Sequence, residues 1–477
     1  MAQSKFLGLA RWATASILVG GLALGMGAAN AALTIKIANL NPPGVGFNDP
    51  TPATPIGGNA GTTVGQQRLI AFTYAANIWG AALTSPVPVV INAQFSALTC
   101  TATSAVLGSA GATSIFRDFP GATKAGTWYS YALANRLTGR YLGTSRAAQI
   151  NANFNVNLGT PGCLETSSWY YGLDSNEAAG QIDFVAVLQH EMAHGLGFQT
   201  FTNGTTGAFQ SSFPSIWDHF LFGSVTGKVW KDMTNAERTA SAISVNGLSW
   251  NGPLINAAVP TVLGFFGNLN ISGAAAGAAA GNYPAGEATY GTPLTAVPIV
   301  GEVAAITTGA ADACAALAGI DATAVLGKIA LIARGTCAFV DKVKNAQSAG
   351  AIGVIITDNV NATIPGLSAN EPTITIPVVR ISLAAGNAIR AVLPAVGTPS
   401  GVMAGLSTPG TQRAGTDVTG RILMFAPNPF QSGSSVSHFD SSASPNQLME
   451  PAINSDLTQS VIPPKDLTLR LFQEIGW

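Results

Sequence analysis

Two alternating stretches and one amphipathic stretch follow the N-terminal segment of the chain. Residues 33–37 and 87–95 alternate between apolar and polar side chains, which predicts two strands that each bury one face. Between them, Thr63 and Gln66 have the spacing of a capping box, and apolar residues then recur at helical intervals. The order strand, helix, strand predicts a mixed sheet with a helix packed on it.

A second helix is predicted between Asp183 and Gly197. The Asp183 side chain can accept hydrogen bonds from the first free backbone N–H groups of a helix, and glycine adopts the left-handed conformation that ends helices without steric cost. Four apolar residues at helical spacing form the expected core-facing stripe: Val185, Leu188, Met192 and Leu196.

The composition shifts to Ala, Gly and Val over residues 285–405, which we interpret as an inserted domain. The flanking stretches 32–284 and 406–477 are then the two parts of one α+β domain, and the second part closes with a short helix after Asp466. The elements predicted within the insertion follow a βαβ-like order: strand 328–333, helix 339–350, strand 353–357, strand 374–381 and helix 383–393.

Charge and the first residues narrow the classes of function. Only 9% of the residues are charged and the formal net charge is -1, so no basic surface for nucleic acid is expected. Residues 1–31 combine Lys5 and Arg11 with an apolar run and a final Ala-Asn-Ala site, which indicates a secretory signal cleaved after Ala31. We therefore expect a secreted, extracellular protein with no transmembrane segment after cleavage; an uncleaved anchor is the alternative.

The chain has four cysteines, an even number that favours disulfides in an oxidising compartment. We expect Cys100 to pair with Cys163 and Cys314 to pair with Cys337, because each pair then closes a loop within one domain. A four-cysteine zinc site is the alternative, but the sequence contains no Cys-x-x-Cys pair, which such sites commonly use.

The segment His-Glu-Met-Ala-His at 190–194 lies on the second predicted helix. Residues four apart share one face of a helix, so His190 and His194 can bind one ion while Glu191 reaches a water molecule bound to that ion. Zinc takes neutral imidazole nitrogens, keeps an open position for water and lowers the pKa of that water to about 7. We therefore predict one catalytic Zn²⁺ ion with Glu191 as the general base.

A catalytic zinc site needs a third protein ligand, and its identity is open at this point. The position ten residues after the first histidine, which several zincins use, is Thr200. The remaining candidates are His219, His438 and Asp218. His438 is favoured because Met449 follows it in the manner of a methionine turn, an arrangement found where the third ligand is remote.

These motifs resemble the leishmanolysin-like branch of the metzincin zinc endopeptidases. The resemblance rests on His-Glu-x-x-His-x-x-Gly-Phe at 190–198, Ser-His-Phe-Asp at 437–440 and Asn-Gln-Leu-Met-Glu-Pro at 446–451. It implies a metzincin-like α+β catalytic domain split by an insertion, with peptide or protein substrates. The residue roles that it implies are zinc binding by His190, His194 and His438, general base for Glu191, turn residue for Gly197 and Met-turn residue for Met449.

The insertion is similar to a protease-associated domain. The similarity rests on Gly-Lys-Ile-Ala-Leu-Ile-Ala-Arg-Gly-Thr-Cys at 327–337, Val-Ile-Ile at 354–356 and Ile-Pro-Val-Val at 376–379. It implies a non-catalytic lid or substrate-contact module, so no catalytic residue is expected within 285–405. A generic small α/β insertion is the alternative.

Two other functions stay open. A gluzincin-like zinc peptidase would take Asp218 or His219 as the third ligand, and a secreted binding module would keep only a vestigial site.

Asn48 and Asp49 could bind calcium, although a capped turn is the commoner role of such residues.

Overall fold

The computed structural model describes residues 31–143, 147–307, 312–367, 369, 371–454 and 456–477, so all but the last residue of the predicted signal lies outside the described residues. Within the described part the chain forms nine α-helices and twenty strands. The helices are α1 (Val64–Ala82), α2 (Tyr131–Thr138), α3 (Phe184–Leu196), α4 (Asn235–Ser241), α5 (Pro253–Val262), α6 (Gly319–Val325), α7 (Phe339–Ser348), α8 (Leu383–Val392) and α9 (Thr468–Ile475). The strands are β1 (Ile35–Asn39), β2 (Val89–Ser96), β3 (Cys100–Thr101), β4 (Ser104–Ala105), β5 (Gly108–Ala112), β6 (Ile115–Phe116), β7 (Tyr129–Ser130), β8 (Ile150–Asn155), β9 (Ser168–Tyr170), β10 (Gln181–Asp183), β11 (Leu221–Gly223), β12 (Lys228–Val229), β13 (Leu248–Trp250), β14 (Gly267–Ser272), β15 (Gly281–Glu287), β16 (Ile299–Ala305), β17 (Ile329–Ala333), β18 (Gly353–Thr357), β19 (Val378–Ile381) and β20 (Met403–Ser407).

The N-terminal part is built on a four-stranded mixed sheet in the order β1-β2-β8-β5. Strands β1, β2 and β8 are parallel, and β5 pairs antiparallel with β8 at the edge. Alternate residues of β2 are buried, and the helices α1 and α3 pack together in the same core. The prediction of a mixed sheet with a helix packed on it is confirmed.

The start of α1 follows its sequence signature with one change. The Thr63 hydroxyl accepts a hydrogen bond from the Gln66 backbone N–H at 3.2 Å, as a cap should. The Gln66 side chain, however, accepts from the backbone N–H of Thr62 and not from that of Thr63. The reciprocal bond is therefore displaced by one residue, and the helix still begins at Val64.

The C-terminal part returns to the core of the N-terminal part. Phe472 of α9 packs edge-on against Trp79 of α1, with ring centroids 5.2 Å apart. The Trp477 indole N–H donates to the backbone oxygen of Leu196, the last residue of α3, at 2.9 Å. Residues near both ends of the described chain therefore close one hydrophobic core around α3.

Between these parts the chain forms a closed barrel in the order β14-β15-β19-β18-β17-β16-β20. The predicted strands and helices are present as β17, α7, β18, β19 and α8, but β19 begins at Val378 and not at residue 374. Pro377, which precedes it, has no N–H to donate to a neighbouring strand. The barrel also begins before residue 285, because its first strand in the chain is β14.

Both expected disulfides are present, joining Cys100 to Cys163 and Cys314 to Cys337. The first links β3 to the loop before β9, and the second links the segment before α6 to the loop after β17. None of the helices in the described part of the chain has both the length and the apolar character that a membrane crossing requires.

Candidate metal centre

Helix α3 carries two of the predicted metal ligands, and its ends follow the sequence prediction. Asp183 Oδ1 accepts hydrogen bonds from the backbone N–H groups of Val185 at 2.8 Å and Ala186 at 3.4 Å. Gly197 ends the helix with a φ of +132°. All 13 residues of α3 are buried, so the polar side chains on it need partners inside the protein.

Three imidazole rings meet at one point beside this helix. The Nε2 atoms of His190, His194 and His438 are each 3.1 Å from the other two. Tetrahedral zinc with bonds of 2.0–2.1 Å holds its ligand atoms about 3.3–3.4 Å apart, so the observed triangle is close to the size that such an ion requires. Among the described residues, these three form the only cluster of three or more potential metal-ligating side chains.

The opposite nitrogen of each ring is held by a backbone carbonyl. Nδ1 of His190 lies 2.8 Å from the oxygen of Leu448, Nδ1 of His194 lies 2.8 Å from that of Phe198, and Nδ1 of His438 lies 2.8 Å from that of Ser434. A carbonyl oxygen can only accept, so each Nδ1 carries the proton. All three Nε2 atoms therefore present lone pairs to one another, as metal-ligating histidines do.

The three rings are neutral in this environment. Burial lowers the pKa of His190 to about 4 and that of His194 to about 3, and it lowers the pKa of His438 well below its ordinary value. Three facing lone pairs without protons repel each other unless a cation lies between them. The donor set therefore fits a divalent metal ion that takes neutral nitrogen ligands, such as zinc.

Glu191 is next to the first ligand on α3 and is only 6% exposed. Its Oε2 atom has no hydrogen-bond partner among the described residues. Burial raises the pKa of Glu191 to about 8, and a hydrogen bond from the backbone N–H of Ala110 acts in the opposite direction. An unpartnered buried carboxylate oxygen is costly, so its presence points to a missing polar partner at this position.

Strand β5 approaches this carboxylate closely. A Cβ atom on Gly108 would lie 2.8 Å from Glu191 Oε1, so the absence of a side chain on Gly108 lets the two elements come together. The Leu107 oxygen accepts from the Asn155 N–H of β8, and the Thr113 N–H donates to the oxygen of Gln149, the residue before β8. Because such bonds alternate, the N–H and C=O groups of Gly108, Ala110 and Ala112 point away from β8, along the free edge of the sheet.

The predicted Met-turn lies against the third histidine. Met449 is fully buried, and its backbone oxygen accepts from the N–H of Phe439, the residue after His438, at 2.8 Å. The Asp466 carboxylate accepts from the backbone N–H of Thr468 in α9 and from that of Leu448, both at 2.7 Å. The turn is therefore fixed to both the third histidine and the start of α9.

The other two candidate ligands have partners elsewhere. The buried Asp218 carboxylate accepts hydrogen bonds from the hydroxyls of Thr200 and Thr202, at 2.8 and 2.6 Å, and from the N–H and hydroxyl of Ser215. Nε2 of His219 lies 3.1 Å from the Thr127 hydroxyl. Neither side chain belongs to the three-histidine cluster.

The possible calcium ligands lie in a capped turn. Asp49 Oδ1 accepts from the backbone N–H of Thr51 at 2.9 Å, and Oδ2 lies 3.5 Å from an Arg68 nitrogen. The Asn48 side-chain oxygen accepts from the Asn39 amide at 2.8 Å. These local bonds agree with the alternative given for these residues, a capped turn.

The three histidines and Glu191 line a cleft of about 1230 Å³. One wall is formed by residues 105–110, which include the start of β5. The opposite walls come from the stretches 177–183, 199–205, 430–438 and 450–454. The cleft gives solvent and an extended ligand a path to the cluster.

Comparison with known protein families identifies the barrel. The family model for the PA domain matches residues 296–389. The chain contains a PA domain. The match runs from just before β16 into α8, and the prediction of a protease-associated domain in this part of the chain is confirmed.

Similarity to individual proteins is local. The minor extracellular protease Vpr of Bacillus subtilis is 41% identical over 69 residues, which are 14% of this chain and 8% of that protein. Human ER degradation-enhancing alpha-mannosidase-like protein 3 is 61% identical over 36 residues, 8% of this chain and 4% of that protein. The structure of a zinc aminopeptidase from Bacillus subtilis covers 34% of this chain and 37% of its own, with 24% identity and a TM-score of 0.23. This chain spans less than a tenth of either curated relative, so their activities do not extend to it.

Proposed function

We propose that this protein is a secreted zinc-dependent endopeptidase of the leishmanolysin-like metzincin type. The observation that carries the proposal is the triangle of three proton-free Nε2 atoms, 3.1 Å apart, beside a buried carboxylate with an unpartnered oxygen. In this proposal His190, His194 and His438 hold the ion, and the residues flanking the PA domain form one catalytic domain.

The cleft contains a residue for each step of the proposed reaction. When bound, zinc would polarise the substrate carbonyl and lower the pKa of water at its open position. Glu191 takes the proton from the attacking water, and it later delivers that proton to the leaving amine.

The edge strand β5 supports cleavage within a chain rather than at its end. The outward N–H and C=O groups of Gly108, Ala110 and Ala112 offer an extended peptide the bonds of one more strand. A peptide bound in this way would pass Glu191 with residues on both sides of the scissile bond. The PA domain has no catalytic role in this proposal.

The test is a metal assay combined with a cleavage assay on the purified secreted chain. We expect one zinc ion per chain and cleavage of casein at internal sites, which a chelator abolishes and added zinc restores. A chain that holds zinc stoichiometrically and leaves casein intact would instead support the non-catalytic binding module.

A further inference from the structure

The two ends of the cleft differ in charge. Its lining near the start of α3 includes three carboxylates besides the catalytic one: Glu177, Asp183 and Glu450. Its lining beyond the end of α3 carries hydroxyl and amide groups without charge: Gln199, Thr200, Thr202, Asn203, Thr205, Ser432, Ser434, Ser435 and Ser437. No Lys or Arg is among the lining residues of the described chain.

Hydrogen bonds place the acidic residues at one end. The Asp183 carboxylate and the Gln189 side chain both bond to Gln459, at 2.7 and 2.8 Å, and the Leu448 carbonyl bonds to His190. Leu448, two residues before Glu450, and Gln459 therefore both lie beside the first half of α3. Glu177 lies in the loop just before β10, the strand that leads into α3.

Two of these carboxylates can each accept a further hydrogen bond. Glu177 Oε2 is buried and has no hydrogen-bond partner among the described residues. Glu450 is 2% exposed; its Oε1 accepts from the Gln447 N–H at 2.7 Å, but its Oε2 has only the Asn454 amide at 3.5 Å, the limit of a hydrogen bond. Asp183 differs, since both of its oxygens have partners.

The charged neighbours that shift the pKa of Glu450 are all carboxylates. Burial raises the pKa of Glu450 well above its ordinary value, and the nearby carboxylates of Asp440, Asp456 and Asp466 raise it further. An ammonium or guanidinium group that enters this end of the cleft would supply the absent donors and would favour the ionised carboxylate. The lining beyond the end of α3 contains no carboxylate that could pair with a cation.

We propose that the end of the cleft formed by Glu177 and Glu450 binds a lysine or arginine side chain of the substrate. The cationic residue then lies on one side of the scissile bond only, because the acidic groups lie at one end only. This inference rests on the proposed peptidase function and adds a substrate class to it: peptides with a basic residue beside the cleaved bond.

The experiment uses the zinc-loaded full chain and internally quenched peptides that differ at one position. Lys, Gln or Glu is placed directly before or directly after the scissile bond, and mass spectrometry locates each cut. On one side we expect kcat/KM for Lys to exceed that for Gln by about tenfold, with Glu below Gln, and on the other side a ratio near one. The ratio should shrink in 1 M NaCl, because salt screens the attraction.

Substitutions of Glu177 and Glu450 test whether these residues cause the preference for lysine. Glu177→Gln should reduce the Lys-to-Gln ratio by about threefold or more; the side chain is partly exposed, so folding should tolerate the change. Glu450→Gln should reduce the ratio as well, with the melting temperature checked in parallel. Glu371→Gln removes the same charge from the PA domain, outside the cleft lining, and should leave the ratio unchanged.

The outcomes that contradict this inference differ from the outcome that contradicts the proposed function. Cleavage of casein with no preference for Lys on either side would overturn the inference and leave the proposed function standing. A preference that survives both glutamate substitutions would also overturn it, because the acidic end would not be its source. Absence of cleavage of casein and of every peptide, with zinc bound, would overturn the proposed function and this inference with it.

Discussion

The backbone oxygen of Leu448 lies 2.8 Å from Nδ1 of His190, although 258 residues separate them in the chain. Through this contact the turn that contains Met449 fixes the tautomer of a ring on α3. The Asp466 carboxylate holds the same turn from the other side. The orientation of the first histidine therefore depends on the C-terminal part of the chain, beyond the PA domain, as much as on its own helix.

The first prediction concerns the third ligand. His438→Ala should weaken zinc binding by at least about 100-fold, because it removes one of three converging nitrogens, whereas changes beyond the direct ligands typically cost 10–100-fold. His219→Ala is the matched control, since that ring bonds to Thr127 and should not affect zinc. Zinc content after dialysis against a weak chelator measures both.

The opposite pattern would identify a different site. If the His438→Ala protein kept zinc while His219→Ala or Asp218→Asn lost it, the gluzincin-like alternative would replace the metzincin-like one. Asp218→Asn needs a check of folding, because this carboxylate accepts hydrogen bonds from Thr200, Thr202 and Ser215 in the core.

The second prediction separates catalysis from metal binding. Glu191→Gln should lower kcat/KM for a peptide substrate by about 1000-fold or more, because the amide cannot accept the proton of water. Zinc should stay bound at full stoichiometry, since the three imidazoles are unchanged. Activity near the wild-type level in a preparation free of wild-type enzyme would remove Glu191 from its proposed role.

Much of the fold around α3 could be predicted from sequence, because local rules govern it. Apolar spacing, the Asp183 cap and the Gly197 stop gave both ends of α3, and residues 353–357 were predicted with the bounds that β18 has. These elements depend on neighbours within a few residues. They can therefore be recognised in the sequence without knowledge of contacts with distant parts of the chain.

The remaining features depend on atoms or pairings that carry no signature in the sequence. The carbonyls of Leu448, Phe198 and Ser434 orient the rings, and a backbone oxygen is the same whatever the side chain. Strand β5, Gly-Ser-Ala-Gly-Ala, lacks both alternation and strand-forming residues, and it exists because β8 pairs with it. The first barrel strand, β14, belongs to the barrel through its pairing with β15 and β20, and the composition of the chain changes only after it.

The third prediction concerns the turn after α3. Gly197→Ala should cost about 1–3 kcal/mol of stability, because φ is +132° and the new Cβ would lie 3.0 Å from the Ser130 hydroxyl. It should also weaken zinc binding about 10–100-fold, since the displaced Phe198 carbonyl holds His194. Gly420→Ala is the control.

Gly420 also has a positive φ, +87°, but nothing lies within 4 Å of a Cβ there. The control variant should therefore lose some stability and keep its zinc affinity. If Gly197→Ala lost stability to the same extent and bound zinc as tightly as the wild type, the turn would have no part in orienting His194.

The PA domain contains a buried ion-pair network that bears on acid stability. Asp358 follows β18 and is paired with Arg380 and with Arg334, whose nitrogen lies 3.0 Å from the carboxylate. The Asp358 side chain is 1% exposed. Burial by itself would raise the pKa of Asp358, but the Arg380 and Arg334 guanidinium groups outweigh it and hold the pKa below its usual value.

The fourth prediction follows from the sign of that shift. A carboxyl whose pKa is lower in the folded state contributes stability above its unfolded pKa of about 3.9, and this contribution is lost as the pH falls through the folded value. Asp358→Asn should therefore lower the free energy of unfolding by about 3 kcal/mol at pH 7, where Arg380 is left buried without a counter-charge, and by less near pH 3. Denaturant unfolding at both pH values measures the difference, with Asp232→Asn, in an exposed pair with Lys231, as a control that should change little at either pH. An equal loss at both pH values would mean that Asp358 stabilises the barrel through packing and not through its charge.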